Sequence, residues 1–339
     1  MKKITKLKDI AEALNVSITT VSKALNNHPD ISAERKKEIQ EYAQKAGYRP
    51  NQLAKNFRQR KTNMIGVILN DSDNPINARI IRGIEETLYK NGYFCVIMNN
   101  HESIEDELQM INELKSLNVA GVILSPALGN KKGRDCLKKS EIPYVLINRY
   151  VEKDQDSYVV LDDYKAAYMA TCYLCQYQNE PVLFLNFMEE VSSSKNRLQG
   201  YKQALKDCGM EGSDKWVIHN CKNQQDGYDH MKEVLLHVDP PFSVLCYSDY
   251  IAAGVISAVE ERGFKLPMDV ALVSNDNVDI FSFVKPRLTT VAVPKLRLGI
   301  RAAEMLLHLL EESDENEENH SSLAHHVIMK PELVIRETS

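Results

Sequence analysis

Residues Asp9–Asn26 read DIAEALNVSITTVSKALN, a string that reads as two short helices joined by a tight turn. Ile10, Ala11 and Leu14 form an apolar stripe at helical spacing, and Val21, Ala24 and Leu25 form a second. Between the stripes, Asn15 is a residue type that tolerates the positive φ of a turn. Ser17 stands where the second helix needs an N-cap. A helix-turn-helix packs its first helix across the second and leaves one polar face of the second free to enter a DNA major groove. Here that face carries Ile18, Thr19, Ser22 and Lys23. The same pattern also fits an ordinary helical hairpin in a core, and the string alone does not choose between the two.

Charge separates the two readings. Residues 1–62 hold 14 basic and 6 acidic residues, a net +8, whereas the rest of the chain carries −13 and the whole −5. A basic arm on an acidic body is the electrostatic footprint of a nucleic-acid module joined to something else. Lys and Arg near phosphates release counterions, which supplies sequence-independent affinity. A merely solvated basic face leaves unexplained why the asymmetry stops near Lys61.

At 339 residues with 43% hydrophobic content, the chain is long enough for two or three domains with a sizeable core. It has no apolar run long enough to span a bilayer, and its first residues, MKKITKLKDIAEAL, lack the apolar stretch of a secretory signal. A soluble, cytoplasmic protein without membrane partners is expected. Seven cysteines, an odd number scattered through predicted elements, suit a reducing compartment better than a disulfide framework.

A third helix is predicted over Ser32–Ala46, capped by Ser32, with Ile39, Tyr42, Ala43 and Ala46 on its core face and Gly47 ending it. Pro50 disfavours helix at Arg49, so residues 48–51 read as a linker. The basic segment NQLAKNFRQRK (51–61) is too short for a stable helix alone. From Met64 onward the apolar runs MIGVIL (64–69), FCVIM (94–98), AGVIL (120–124) and YVLIN (144–148) suit buried parallel strands. Helical patterns alternate with them. After a crossover expected near Val159–Asp163, the alternation resumes with strands VLFLN (182–186), KWVIH (215–219), FSVLCY (242–247) and DVALVS (269–274). Helices are predicted around Tyr164–Gln178, Arg197–Cys208, Gly227–His237 and Ile251–Arg262. This implies doubly wound parallel sheets, in two lobes because the total is too long for one. A helix over Leu296–Leu310 returns to the first lobe, HVIMK and ELVIRE end the chain as edge strands, and residues 311–322 form a solvated loop.

End to end, the chain resembles the LacI/GalR family of bacterial transcription regulators. The DIA…VS..TVS.ALN string is similar to that family's helix-turn-helix, and NQLAKNF to its hinge helix. The resemblance implies a small all-α helix-turn-helix domain (1–50), a hinge (51–62) and an α/β body (63–339) of two periplasmic-binding-protein-like lobes. The expected lobe boundaries are about 63–161 plus 294–323, and 162–293 plus 324–339. The body is expected to bind an effector and to dimerise.

The resemblance places Ile18, Thr19 and Lys23 where the family reads base edges. Lys23 suits guanine O6/N7, and Ile18 and the Thr19 methyl suit a thymine methyl. Ser17, Thr20, Ser22 and Asn26 are better placed for phosphate. Thr20 and Ser22 also fit the role of inert solvent-facing residues. In the hinge, Asn51, Ala54, Phe57 and Arg58 are the implied DNA contacts. Phe57 stands where the family usually wedges a leucine between base steps, so the central step it favours is open. Phe57 equally fits an anchor between two hinges, while Arg58, Arg60 and Lys61 suit phosphates.

The effector cleft is expected between the lobes, at the carboxyl ends of the strands. The family's contacts map onto Asn70, Asp71, Asn74, Asn148, Arg149, Arg197, Ser248, Asp249 and Asp276. Ser248 stands where Asn is common, and Asn275 where an aromatic is common, so the expected cleft is short of stacking surface. Arg149 and Arg197 would welcome a sugar phosphate or sugar acid as readily as a sugar. Asp276 and Arg149 could instead pair across the lobes.

Other signals carry less. Cys172-x-x-Cys175 lies inside a predicted helix with no second pair nearby, which favours buried thiols over metal. His320, His325 and His326 sit in a loop leading into a strand, which offers no ligand geometry, so neither metal nor cofactor is expected. No phosphate-cradling glycine loop or nucleophile elbow is present. The expectation is therefore a carbohydrate-sensing, homodimeric repressor of double-stranded operator DNA, not an enzyme. A solute-binding protein fits the body but not the basic N-terminal module, and a partner protein as effector stays open.

Overall fold

A computed structural model describes residues 6–48, 62–177, 181–210, 214–315 and 324–339. The chain divides into two compact units, residues 1–62 and 63–339. The hinge residues Asn51, Ala54, Phe57 and Arg58 lie outside the described residues.

In the first unit, α1 (Leu7–Ala13), α2 (Ile18–Leu25) and α3 (Ala33–Lys45) surround a small core of Ile10, Ala11, Val21, Ala24, Ile39 and Ala43. Both apolar stripes of the opening string are thus used up against α3 and against each other. Asn15 takes φ 49° in the turn, and the Ser17 hydroxyl accepts a hydrogen bond from the Thr20 amide at 3.0 Å. Ser32 caps α3 in the same way, accepting from the Arg35 amide. Gly47, at φ 65°, donates to the Gln44 carbonyl while Tyr48 donates to Ala43, which closes the orphan carbonyls of α3 in a Schellman motif. Tyr42, expected in the core, is 37% exposed. The stripe centres on Ile39 and Ala43, one turn apart, and the residue beside Ala43 rotates off its edge.

The second unit begins with β1 (Met64–Leu69), α4 (Pro75–Lys90), β2 (Phe94–Asn99), α5 (Ile104–Ser116), β3 (Gly121–Leu124), α6 (Lys131–Lys139), β4 (Tyr144–Ile147) and β5 (Tyr158–Leu161). It continues with α7 (Asp163–Cys175), β6 (Val182–Leu185), α8 (Ser192–Asp207), β7 (Val217–Ile218), α9 (Gln224–His237), β8 (Phe242–Cys246), α10 (Asp249–Glu261), β9 (Val270–Asp276) and β10 (Thr289–Ala292). The last elements are α11 (Lys295–Glu315), β11 (His326–Met329) and β12 (Glu332–Val334). Among the described residues they build two six-stranded sheets, in the orders β11-β5-β4-β3-β1-β2 and β12-β10-β9-β8-β6-β7. Every pairing is parallel except that of β12 with β10.

Strand alternation distributes the apolar residues to both faces of each sheet. Ile65, Val67 and Leu69 meet Ile80, Ile84 and Leu88 of α4 and Leu298 and Leu306 of α11. Ile68, Val122 and Leu124 meet Ile111 and Leu114 of α5 and Leu137 of α6 on the other face. Buried on both sides, such strands read as continuous hydrophobic runs, which is how the sequence reveals them. Helices α4 and α11 approach backbone to backbone. A Cβ on Gly83 would stand 2.3 Å from the Leu296 carbonyl oxygen, and one on Gly299 would stand 2.1 Å from that of Ile80, so only glycine fits at this crossing.

Four details depart from the sequence reading. Residues Tyr158–Leu161 form a fully buried strand where a crossover was expected, because a four-residue apolar run carries no period that marks it as a strand. Thr289–Ala292 is likewise a strand, its threonines masking the run. The segment expected as strand KWVIH is a 3-10 turn over Asp214–Trp216 followed by a two-residue strand. Finally, β11 pairs with β5 in the first sheet rather than joining the second lobe. The last crossing therefore runs between Met329 and Glu332. Among the described residues no helix is long and apolar enough to cross a membrane.

Candidate functional site

On the first unit, α2 presents Ser17, Ile18 and Thr19 to solvent, with Ile18 46% exposed, while Thr20, Ser22 and Lys23 are half-buried. A large aliphatic side chain at a helix start, outside the core, is what a thymine-methyl reader requires. Four of the polar side chains are engaged within the unit. Thr20 Oγ1 shares a 2.8 Å hydrogen bond with Ser17 Oγ, and Asn26 Nδ2 donates to the Ser22 carbonyl at 2.8 Å. Lys23 Nζ stands 2.8 Å from Asp30 Oδ2, an acid that sequence reasoning passed over. Lys23, followed by His28, holds the Asp30 carboxyl below its usual range.

In the second unit a cavity of about 670 Å³ lies between the lobes. Eight of the nine expected residues line it: Asn70, Asp71, Asn74, Asn148, Arg149, Arg197, Ser248 and Asp276. They stand at the carboxyl ends of β1, β4, β8 and β9 and the amino ends of α4 and α10, with Arg197 in the second turn of α8. Ser248 caps α10 and Asn74 caps α4, its Oδ1 accepting from the Ile76 amide at 3.0 Å. Asn148 (φ 66°) and Asp276 (φ 118°) hold backbone conformations that side chains rarely adopt. Strain of that kind concentrates at ligand sites.

Asp249 is the exception. Its carboxylate faces away from the cavity and is fully buried, accepting from Thr290 Oγ1 and from the Val278 amide, both at 2.7 Å, and from Ser274 Oγ. It ties the end of β9 to β10 and α10, a positioning task rather than a ligand contact. Asn275, expected as a missing aromatic, is also buried, donating to the Cys246 carbonyl at 2.9 Å. The stacking surface comes from Phe187 and Tyr247 instead, whose rings stack with centroids 5.2 Å apart. Each follows a strand end, so the rule that open sheets bind ligands there would have found both.

The two arginines carry partners from their own lobes. Arg149 Nη1 reaches both Glu102 carboxylate oxygens at 3.0 Å and the Pro126 carbonyl at 3.2 Å. Arg197 Nε donates to Asp163 Oδ1 at 2.8 Å, Nη1 donates to the Tyr247 carbonyl, and the guanidinium lies 4.2 Å from the Tyr247 ring centroid. Among the described residues no Arg149–Asp276 bridge forms, and the ion pair that spans the lobes is Arg79 with Asp279. Burial, followed by the nearby Asp249 carboxylate, pushes Asp276 up to about 8, against the pull of Arg197 and Lys295. The shift favours the neutral carboxyl, the form that can donate a hydrogen bond.

Behind the Asn70 wall lies a buried network that the sequence did not reveal. Ser125 Oγ donates to Asn70 Oδ1 at 2.5 Å, Asn100 Nδ2 donates to the Ser125 carbonyl at 3.0 Å and to Glu107 Oε2 at 3.0 Å, and the Ala127 amide donates to the same oxygen at 2.6 Å. Burial raises Glu107 to about 7, more than these donors lower it.

A family model described as bacterial regulatory proteins, lacI family, matches residues 6–51, and one described as periplasmic binding proteins and sugar binding domain of LacI family matches residues 62–330. The NTD biosynthesis operon regulator NtdR of Bacillus subtilis (strain 168) is 31% identical over 98% of both chains. The HTH-type transcriptional repressor PurR of Pasteurella multocida (strain Pm70) is 29% identical, again over 98% of both. The solved lac repressor dimer bound to operator and the anti-inducer ONPF superimposes with a TM-score of 0.86 over 99% of each chain at 19% identity, a likeness of fold. A helix-turn-helix joined to a two-lobed α/β body defines a type of DNA-binding regulator. The chain belongs to the LacI family and is a DNA-binding transcriptional regulator.

Glu107 generates a pH prediction. A carboxyl raised in the folded state binds its proton more tightly there than when unfolded. Its contribution to stability is therefore full below the unfolded value near 4.5 and lost as pH rises through about 7. Glu107→Gln keeps the shape without the proton. Urea unfolding between pH 5 and 8 should show wild-type stability declining by on the order of 2 kcal/mol across that window and the variant nearly flat.

Proposed function

We propose that the chain is a repressor whose affinity for operator DNA is set by an uncharged sugar bound between the lobes. Residues 1–50 act as the reading head, 51–62 as the coupling hinge and 63–339 as the sensing and dimerising body. Homodimerisation follows from the reading head, because one recognition helix covers one half-site and a pseudo-palindrome needs two. The chain acts in the cytoplasm, by binding rather than by turnover.

The observation that carries the ligand class is the pairing of the cavity's arginines. With Glu102 on Arg149 and Asp163 on Arg197, each guanidinium's charge is already balanced inside the protein, so a phosphate or carboxylate would gain less from either than from an unpaired arginine. Burial raises the Asp276 carboxyl, which favours its neutral, donating form over its charged one. Phe187 and Tyr247 supply apolar faces for the C–H face of a sugar ring, and Asn70, Asn74 and Asn148 supply donors and acceptors for its hydroxyls. This favours a sugar over the sugar phosphate or sugar acid that the arginines alone suggest. Binding that favours one degree of lobe closure would shift the hinges and hence the DNA affinity by its differential affinity for the two states.

Two measurements test this reading. Lys23→Ala should relax discrimination at one operator base pair by about 1–3 kcal/mol while leaving affinity for other sequences little changed; uniform weakening across sequences would make Lys23 a phosphate contact. In a thermal-shift series on the full chain, neutral mono- and disaccharides should include one that raises the melting temperature while its phosphate and its acid do not. That sugar should change operator binding in wild type and leave Tyr247→Ala unresponsive, and a response only to the anionic forms would overturn the ligand class.

A further inference from the structure

We propose that His308, Glu312 and His325 form a binding site for a divalent transition ion of the zinc type, which pins the end of α11 to the start of β11. His325 was set aside on sequence grounds because the loop and strand around it offer no ligand geometry. Helix α11 supplies that geometry. His308 and Glu312 are four residues apart and share one helix face, and the returning chain brings His325 beside them. His308 Nδ1 lies 3.4 Å from Glu312 Oε1, His325 Nε2 lies 3.9 Å from Glu312 Oε2, and the three donor groups all fall within 4.8 Å of one another.

Ligand atoms about 2.0–2.1 Å from a tetrahedral ion stand roughly 3.3 Å apart. The His308–Glu312 edge already has that length, and the other edges close by small rotations of two half-exposed imidazoles. Glu312 Oε2 is buried and receives no hydrogen bond among the described residues. A carboxylate oxygen in that position calls for a cation or a donor. Two imidazoles and one carboxylate favour zinc, cobalt, nickel or copper over magnesium or calcium, with a fourth position left to water. None of the three residues lines the interlobe cavity, so the site is separate from the effector cleft. Its mechanical effect is specific: β11 is an edge strand, and two residues beyond it the chain enters β12 of the other sheet. An ion there would anchor one of the three strands of chain that join the lobes.

The thiols of Cys172, Cys175 and Cys208 lie close together and are the rival ligands for a soft metal. The test therefore includes them. Full-length protein stripped with a chelator is titrated with Zn²⁺ by calorimetry and with Co²⁺ by visible absorption, as wild type, His308→Ala, His325→Ala and the triple variant Cys172→Ser/Cys175→Ser/Cys208→Ser. The proposal expects one ion per chain in wild type and in the thiol variant, no thiolate charge-transfer band with Co²⁺, and loss of the ion in both histidine variants. Zn²⁺ should raise the melting temperature of wild type but not of the histidine variants, whose metal-free melting should match wild type. Absence of binding, binding that survives both histidine substitutions, or binding lost in the thiol variant would each overturn it.

Discussion

Everything functional in the body of this protein depends on one constraint: parallel strands buried on both faces have only their ends free for polar chemistry. Helices cover both sides of each sheet because the strands are apolar at nearly every position. The residues that line the cavity gather where each strand releases the chain. Asn70 follows β1, Asn148 follows β4, Phe187 comes two residues after β6, Tyr247 directly after β8, and Asp276 ends β9. Two sheets placed with these ends facing a common gap make one cavity from stretches far apart in the sequence.

That gap is shaped by buried groups behind its wall and by acids within it. Asp249, Ser274 and Thr290 fix the end of β9, and Glu107, Asn100 and Ser125 fix the side chain of Asn70. Glu102 and Asp163 hold the two arginines in place before any ligand arrives. Preorganisation of this sort removes ordering costs from binding.

Much of this was legible in the sequence. The apolar runs marked the strands, Ser17, Ser32 and Gly47 marked helix ends, and a count of charge separated the reading head from the body. What escaped has physical reasons. Tyr158–Leu161 is too short to show a period, and Thr289 and Thr290 break the apolar run of β10. Asp249 was expected in the cleft from the family resemblance, yet Ser248 takes the cap and Asp249 is buried on Ser274, Thr290 and Val278. Phe187 and Tyr247 were within reach of the strand-end rule. Glu107 and the meeting of His308 with His325 depend on which elements pack together, which no local pattern records.

Hydrogen–deuterium exchange of the full chain, with and without a sugar that raises its melting temperature, reads the two-lobed site most directly. Protection should appear together in both lobes, around residues 70–77 and 148–150 on one side and 187–197, 247–248 and 276 on the other. Protection confined to one lobe, or lying wholly outside these strand ends, would show that the cavity between the sheets is not where the ligand binds.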